Sequence, residues 1–229
     1  LGATTWEEVD GAGGAVLAVP LGATEQHGPH LPLETDTAIA RAVAAGAAAE
    51  RPEVVVAPAL PYGSSGEHAG FPGTISIGQE ATELVLVELC RSAAASFGRV
   101  LFVCGHGGNV VPVNRAVKRL RGEGREVRAW SPRWEGDAHA GRLETSLMLA
   151  IAPELVRLDR AAPGNTEPVE RLFGDLVARG VRPLAANGVL GDPAGASARE
   201  GRELLAAAVA DLVAVVDGWV RPAGRVEAA

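Results

Sequence analysis

The stretch GAVLAVPLGATEQHGPHLPLETDTAIARAVAAGAAAE, residues 14–50, decides the fold. Its opening run, GAVLAVP at 14–20, is a short apolar segment closed by Pro20, as a buried strand is. Its last part, 37–50, is Ala-rich and helix-prone. Between them the loop at 21–33 interrupts the apolar pattern with glycines, prolines, a carboxylate and two imidazoles. The same alternation continues outward. Residues 54–57 are apolar again, and 79–97 places Leu84, Val87 and Cys90 at helical spacing. A second buried-strand run follows at 100–104, then an amphipathic helix at 114–121, with Val117 and Leu120 opposite Arg115, Lys118 and Arg119. A strand at 127–130, a helix at 143–151 and a long final helix at 199–220, with Leu204, Leu205, Ala208, Leu212 and Val215 on one face, complete the reading. Apolar strands separated by helices predict an α/β fold: three layers, α/β/α, around a largely parallel sheet. No internal repeat or low-complexity linker divides the chain, so residues 1–229 are expected to form one domain.

Composition narrows the function. The chain has 229 residues, 47% apolar and 21% charged, with a net charge of −7. That content excludes an intrinsically disordered chain, and the acidic balance argues against a nucleic-acid or anionic-membrane partner. No run of apolar residues is long enough to span a bilayer. The first twenty residues carry Glu7, Glu8 and Asp10 and no basic residue, the opposite of a secretory leader, so a cytoplasmic location is expected. The chain opens on Leu1 and its single methionine is Met148, so a start upstream of Leu1 is expected. Cys90 and Cys104 form no CxxC pair. Cys104 reads as a buried strand-end residue and Cys90 as helix core.

The chemistry lies in four Gly-rich loops, at 21–33, 62–73, 104–109 and 137–141, which hold all five histidines. In open α/β sheets, ligands gather in the loops at the carboxyl ends of the strands. Glu25 and His27 are two apart, on one side of an extended chain, and Asp36 follows where the loop enters a helix. Carboxylate, imidazole and carboxylate suit a divalent ion such as zinc, iron or manganese. Asp36 also reads as a helix N-cap, Glu25 as a surface residue and His27 as a loop residue. His106 lies in the strand-end loop VCGHGGN, 103–109, whose glycines allow close backbone approach to a ligand; the loop lacks the Lys-Ser/Thr of a phosphate-binding P-loop. Asn109 there also reads as the cap of the next helix. Glu144 stands early in a mostly apolar helix, where it either complements the helix dipole or, if buried, needs a partner such as a metal.

The ordered motifs EQHGPHLPL-x-TD, GEH-x-x-FPGT, GHGGN and DAH-x-G-x-x-ETS resemble those of the creatininase superfamily. The match runs from about residue 17 to about 152, with a weaker echo at 187–201. The resemblance implies a creatininase-like three-layer fold, often assembled as a homo-oligomer (a hexamer or larger ring). It implies a binuclear metal amidohydrolase with two divalent ions per chain, zinc, iron or manganese. By motif position, Glu25, Asp36 and His106 would hold one ion and His27, Asp36 and Glu144 the other, with Asp36 shared. His139 would be the catalytic proton shuttle, protonating the leaving amine after water activated by the metals attacks the amide.

Creatininases carry an aromatic residue and a glutamate after the metal-binding histidine, where this chain has Gly107 and Gly108. That puts creatinine hydrolysis in doubt and leaves room for a peptide. Within the superfamily the wording is most similar to a peptidase branch. For that branch the implied substrate is a modified precursor peptide, trimmed near its C-terminus to release a Val-Tyr dipeptide. His68 and Arg142 are the expected substrate-binding residues, although His68 also reads as a loop brace. His30 reads as a supporting residue behind the metal ligands. Trp134 is a packing residue or a pocket wall. Alternative readings are a creatinine or formamide amidohydrolase, a non-catalytic metal or anion binder, and a ring component with a vestigial site.

Overall fold

The computed structural model describes residues 1–220 except 135 and 138. Four strands, β1 (Val16–Leu21), β2 (Val54–Val56), β3 (Arg99–Cys104) and β4 (Val127–Trp130), form one sheet in the order β2-β1-β3-β4, every pairing parallel. Seven helices accompany them among the described residues: α1 (Trp6–Val9), α2 (Thr35–Glu50), α3 (Gly78–Ala93), α4 (Val110–Gly122), α5 (Arg142–Ile151), α6 (Val169–Arg179) and α7 (Ala198–Val220).

Side-chain alternation along the two central strands makes the layers. Leu17, Val19 and Leu21 of β1 and Val100, Phe102 and Cys104 of β3 point to one face. There they meet Leu86, Val87 and Cys90 of α3 and Val113, Ala116, Val117 and Leu120 of α4. Val16 and Ala18, with Leu101 and Val103, point to the other face, against Val43, Ala44 and Ala47 of α2 and Val209, Leu212, Val213 and Val216 of α7. Strands covered on both faces need apolar residues at consecutive positions, which is why β1 and β3 read as continuous runs. A third cluster, Leu31, Ala38, Ile39, Leu143, Leu147 and Met148, locks α5 onto α2 and the loop before it. The expected α/β/α architecture is the observed one.

The helix starts move outward from the sequence reading. Helix α4 begins at Val110 rather than 114, because Pro112 falls in the first turn, where its missing N–H needs no partner. Helix α2 begins at Thr35, so Asp36 lies inside the helix. Helix α3 ends at Ala93, four residues before the expected end. The short α1 and the amphipathic α6 were not anticipated. Helix α7 passes so close to α5 that a Cβ on Gly201 would stand 1.8 Å from the Ser146 carbonyl oxygen, a contact only glycine permits.

This topology sets the place of the site. From β1 the chain moves to β2 on one side, and from β3 to β4 on the other, so the connection reverses between the two central strands. Leu21 and Cys104, their last residues, are paired in register, and the Gly105 N–H donates to the Leu21 carbonyl at 2.8 Å. The loops carrying His27 and His106 therefore leave the sheet side by side at its switch point, the place where ligands settle in such sheets.

Candidate metal centre

Each donor has an identifiable support. The 22–33 loop folds back on itself: Glu25 N–H donates to Leu33 O at 3.1 Å, and the Thr24 carbonyl accepts from Ile75 N–H at 2.8 Å. Asp36 lies in the first turn of α2 and Glu144 in the first turn of α5, where the partial positive charge of a helix start favours a carboxylate. Asp36 makes no N-cap hydrogen bond; its side chain is buried and turned toward the histidines. Glu144 Oε2 accepts from the backbone N–H of Ala140 at 2.6 Å, and Ala140 itself has a positive φ of 53°.

The five sequence-derived donors converge. Asp36 stands between two imidazoles, with Oδ1 3.1 Å from His27 Nε2 and Oδ2 3.1 Å from His106 Nδ1. Glu25 Oε2 flanks His106 on the outer side at 3.2 Å from Nε2, and Glu144 Oε2 flanks His27 at 3.9 Å from Nε2. Three sets of donor atoms lie within 4.8 Å of one another: His27, Asp36 and Glu144; Glu25, Glu67 and His106; and Glu25, His27 and His139. Glu67 is the donor that sequence reading passed over. Its only signal was a carboxylate next to His68 in the GEH motif of a Gly-rich loop.

The remaining expected residues are placed as follows. His68 is buried, with Nε2 3.2 Å from Glu25 Oε1 and its ring 4.5 Å from that of His139. His139 Nε2 lies 2.8 Å from the Gln26 carbonyl, which assigns the proton to that nitrogen and leaves the Nδ1 lone pair toward Glu144 at 4.0 Å. His30 Nε2 pairs with Thr145 Oγ1 at 2.9 Å, beside Glu144. Arg142, exposed at the start of α5, is tied through Nε to both oxygens of Glu200, at 3.0 and 2.9 Å. Two supporting residues carried no sequence signal. The Gln26 amide donates to His68 Nδ1 at 2.9 Å and to Gly188 O at 3.1 Å. Asn109 does not cap α4; it bridges Ser64 N–H and Gly22 O, both at 2.9 Å, and so ties three loops together.

Burial dominates the electrostatics. It pushes the Glu25 carboxyl up to about 8 and raises Glu144, while the histidine charges work the other way. Burial opposes charge on His27, yet the Asp36 carboxylate overrides it and holds the imidazole up at about 10. His106 is likewise held well above its ordinary value, against burial, by Glu25 and Asp36. Asp36 is lowered despite burial, because both imidazoles face it. His68 falls to about 4 and His139 well below its ordinary value, because each is buried beside other positive groups.

The centre fits divalent cations. Glu25 Oε1 and Oε2 and Asp36 Oδ2 are buried and make no hydrogen bond among the described residues. An unsatisfied buried acceptor costs about 1–3 kcal/mol, more if charged, and a cation between the carboxylates and imidazoles removes that cost. Imidazole with carboxylate is a donor set for zinc, iron or manganese.

Fold and centre together define a class: an α/β enzyme whose imidazole–carboxylate centre lies at the switch point of a parallel sheet. A family model, creatininase (creatinine amidohydrolase), matches residues 2–216. The mycofactocin precursor peptide peptidase of Mycobacterium ulcerans (strain Agy99) is 46% identical over 229 residues, covering 96% of this chain and 91% of the relative. The protein of the same name from Mycolicibacterium smegmatis is 48% identical over 212 residues, covering 89% and 85%. The crystal structure of a creatinine amidohydrolase superposes with a TM-score of 0.82 at 29% identity, covering 97% of this chain and 98% of that one. Two further creatininase structures at TM-scores of 0.81 and 0.82, with 29% and 30% identity, cover the same shares of the two chains; one is named as a Zn-Zn type and the other as an Mn form. The chain belongs to the creatininase family. It is a hydrolase acting on amide or peptide bonds. Among the described residues no helix is long and apolar enough to cross a membrane.

Proposed function

We propose that the chain is a binuclear metal-dependent peptidase that removes the C-terminal Val-Tyr dipeptide from the modified mycofactocin precursor peptide. The observation that carries the metal reading is Asp36, which turns one oxygen toward each of two histidines while Glu25 and Glu144 close the outer sides. Glu25, Asp36 and His106 would hold one ion, and His27, Asp36 and Glu144 the other. Such ions, when bound, supply a nucleophile from water at neutral pH and draw charge from the scissile carbonyl. The peptide reading rests on relatives bearing that name at 46–48% identity over most of the chain.

The chain's own residues do the rest. Neutral His139, held by the Gln26 carbonyl at Nε2, offers the Nδ1 lone pair to the centre; it accepts a proton there and returns it to the amine that leaves. Gln26 holds His68 through its Nδ1, so that the Nε2–H of His68 faces Glu25. His68 and Arg142 are assigned to the substrate side. Gly107, with nothing within 4 Å of where a Cβ would stand, leaves room for a chain rather than a small ring. The same reading takes the protein as cytoplasmic and as a ring of identical copies.

The experiment is metal analysis of the purified chain together with mass spectrometry of its products from the modified precursor peptide, with creatinine as a parallel substrate. Two ions per chain and release of Val-Tyr are expected, with both lost after chelation. Full peptide hydrolysis by the stripped protein refutes the mechanism, and turnover of creatinine but not peptide refutes the substrate.

A further inference from the structure

We propose that Glu67 is a fourth donor on the Glu25–His106 side of the centre, admitted there by the missing side chain at Gly108. This rests on the metal reading above. Glu67 lies in the short turn Gly66–His68, on a loop separate from those that carry Glu25, Asp36 and His106. Its Oε1 is 3.4 Å from His106 Nε2, and its carboxylate shares one focus with Glu25 and His106. Glu25, 1% exposed, aims two unsatisfied oxygens into that same space. Glu25 Oε2 and Glu67 Oε1 both crowd His106 Nε2, at 3.2 and 3.4 Å, where a single N–H would serve Ser64 O at 2.9 Å, whereas a cation at the common focus, with that nitrogen deprotonated, takes all three side chains.

Two glycines make the placement possible. A Cβ at Gly108 would lie 2.3 Å from Glu67 Oε1, 2.5 Å from His106 Nε2 and 2.2 Å from Ser64 O. Any other residue at 108 would therefore push the Glu67 carboxylate off His106. The space left by Gly108 is filled by Glu67, and of the two glycines only Gly107 opens onto free space. Behind the loop, Val181 N–H donates to Glu67 O at 2.8 Å. The preceding Gly180 has φ +75° and approaches that carbonyl so closely that a Cβ would stand 2.6 Å from it. The segment after α6 thus fixes the backbone from which Glu67 reaches across.

The test is zinc titration of the metal-stripped protein against a chelating dye, for the parent, Glu67→Gln and Gly108→Ala, with a thermal melt of each stripped sample. Loss of even a supporting partner of a ligand costs about 10–100-fold in metal affinity. Glu67→Gln is therefore expected to weaken one of two zinc sites at least tenfold, leaving the other and the stripped melt unchanged. Gly108→Ala should weaken the same site although Glu67 is present. A parent that binds two zinc ions, with a Glu67→Gln variant that binds both equally well, overturns the role of Glu67 alone. A parent that binds no zinc overturns the metal reading itself.

Discussion

Glu25→Gln separates what the centre does for the fold from what it does for the metal. Glu25 is 1% exposed and both carboxylate oxygens lack a hydrogen bond among the described residues, so in the metal-free protein burial outweighs the attraction of the nearby His106 imidazole. Replacing this carboxyl with a neutral amide, which need not take up a proton on folding, should stabilise the stripped protein by about 1–3 kcal/mol at pH 7.5. For a chain this long each kcal/mol moves the melting temperature about 2–4 °C, giving a rise of roughly 2–12 °C. The sign follows from the carboxyl, which burial lifts to about 8. The folded parent holds a proton that the unfolded chain has lost, so parent stability falls as pH rises from the ordinary carboxylate range toward 8. The advantage of the variant should accordingly vanish near pH 4 and be complete above pH 8. Excess zinc should reverse the order: at a hundred times the dissociation constant the parent gains about 2.7 kcal/mol. The variant, short of a donor, should gain less. Calorimetric melts of stripped and zinc-loaded samples across pH decide it. A stripped variant that melts below the stripped parent at pH 7.5 refutes the argument.

Asp36→Ala should abolish both metal sites at once, because one oxygen faces each half of the centre; elemental analysis showing one retained ion would refute the sharing. His139→Ala should keep its metal and lose about 10²–10⁴-fold in turnover, and unchanged turnover removes His139 from proton transfer. Gly201→Ala forces a Cβ to within 1.8 Å of Ser146 O and should lower stability by about 1–3 kcal/mol as α7 is displaced from α5. A melt within 1 °C (roughly the reproducibility limit) of the parent would count against that packing.

Much of the sheet and of the candidate donor cluster was legible because each depends on short-range pattern. Runs such as 100–104 are apolar at every position since both faces of β3 are covered, and His27 and His106 stand out in the loops that follow β1 and β3. Helix α4 was cut short because Val110, Val111 and Pro112 look unlike a helix start, until the first-turn tolerance for proline is considered. Helix α6 was missed because Gly174 interrupts a segment that lies among many prolines and glycines. Glu67, Gln26 and Asn109 were illegible for a different reason. Each acts across 39 or more residues of sequence, and no spacing rule encodes that Gly108 leaves room for a carboxylate from another loop.

The common level at which β1 and β3 end has an evolutionary consequence. Their amides lie in the middle of a four-strand sheet, in the region expected to open last during native-state exchange. Histidines on the loops that leave such strands can keep their spacing even where edge strands, outer helix faces and long connections change. A chain that shares 29% of its residues with a creatinine amidohydrolase and still overlays it at a TM-score of 0.82 is what that arrangement permits. New substrates can then be acquired by rewriting the loops, with the bedrock beneath the histidines left in place.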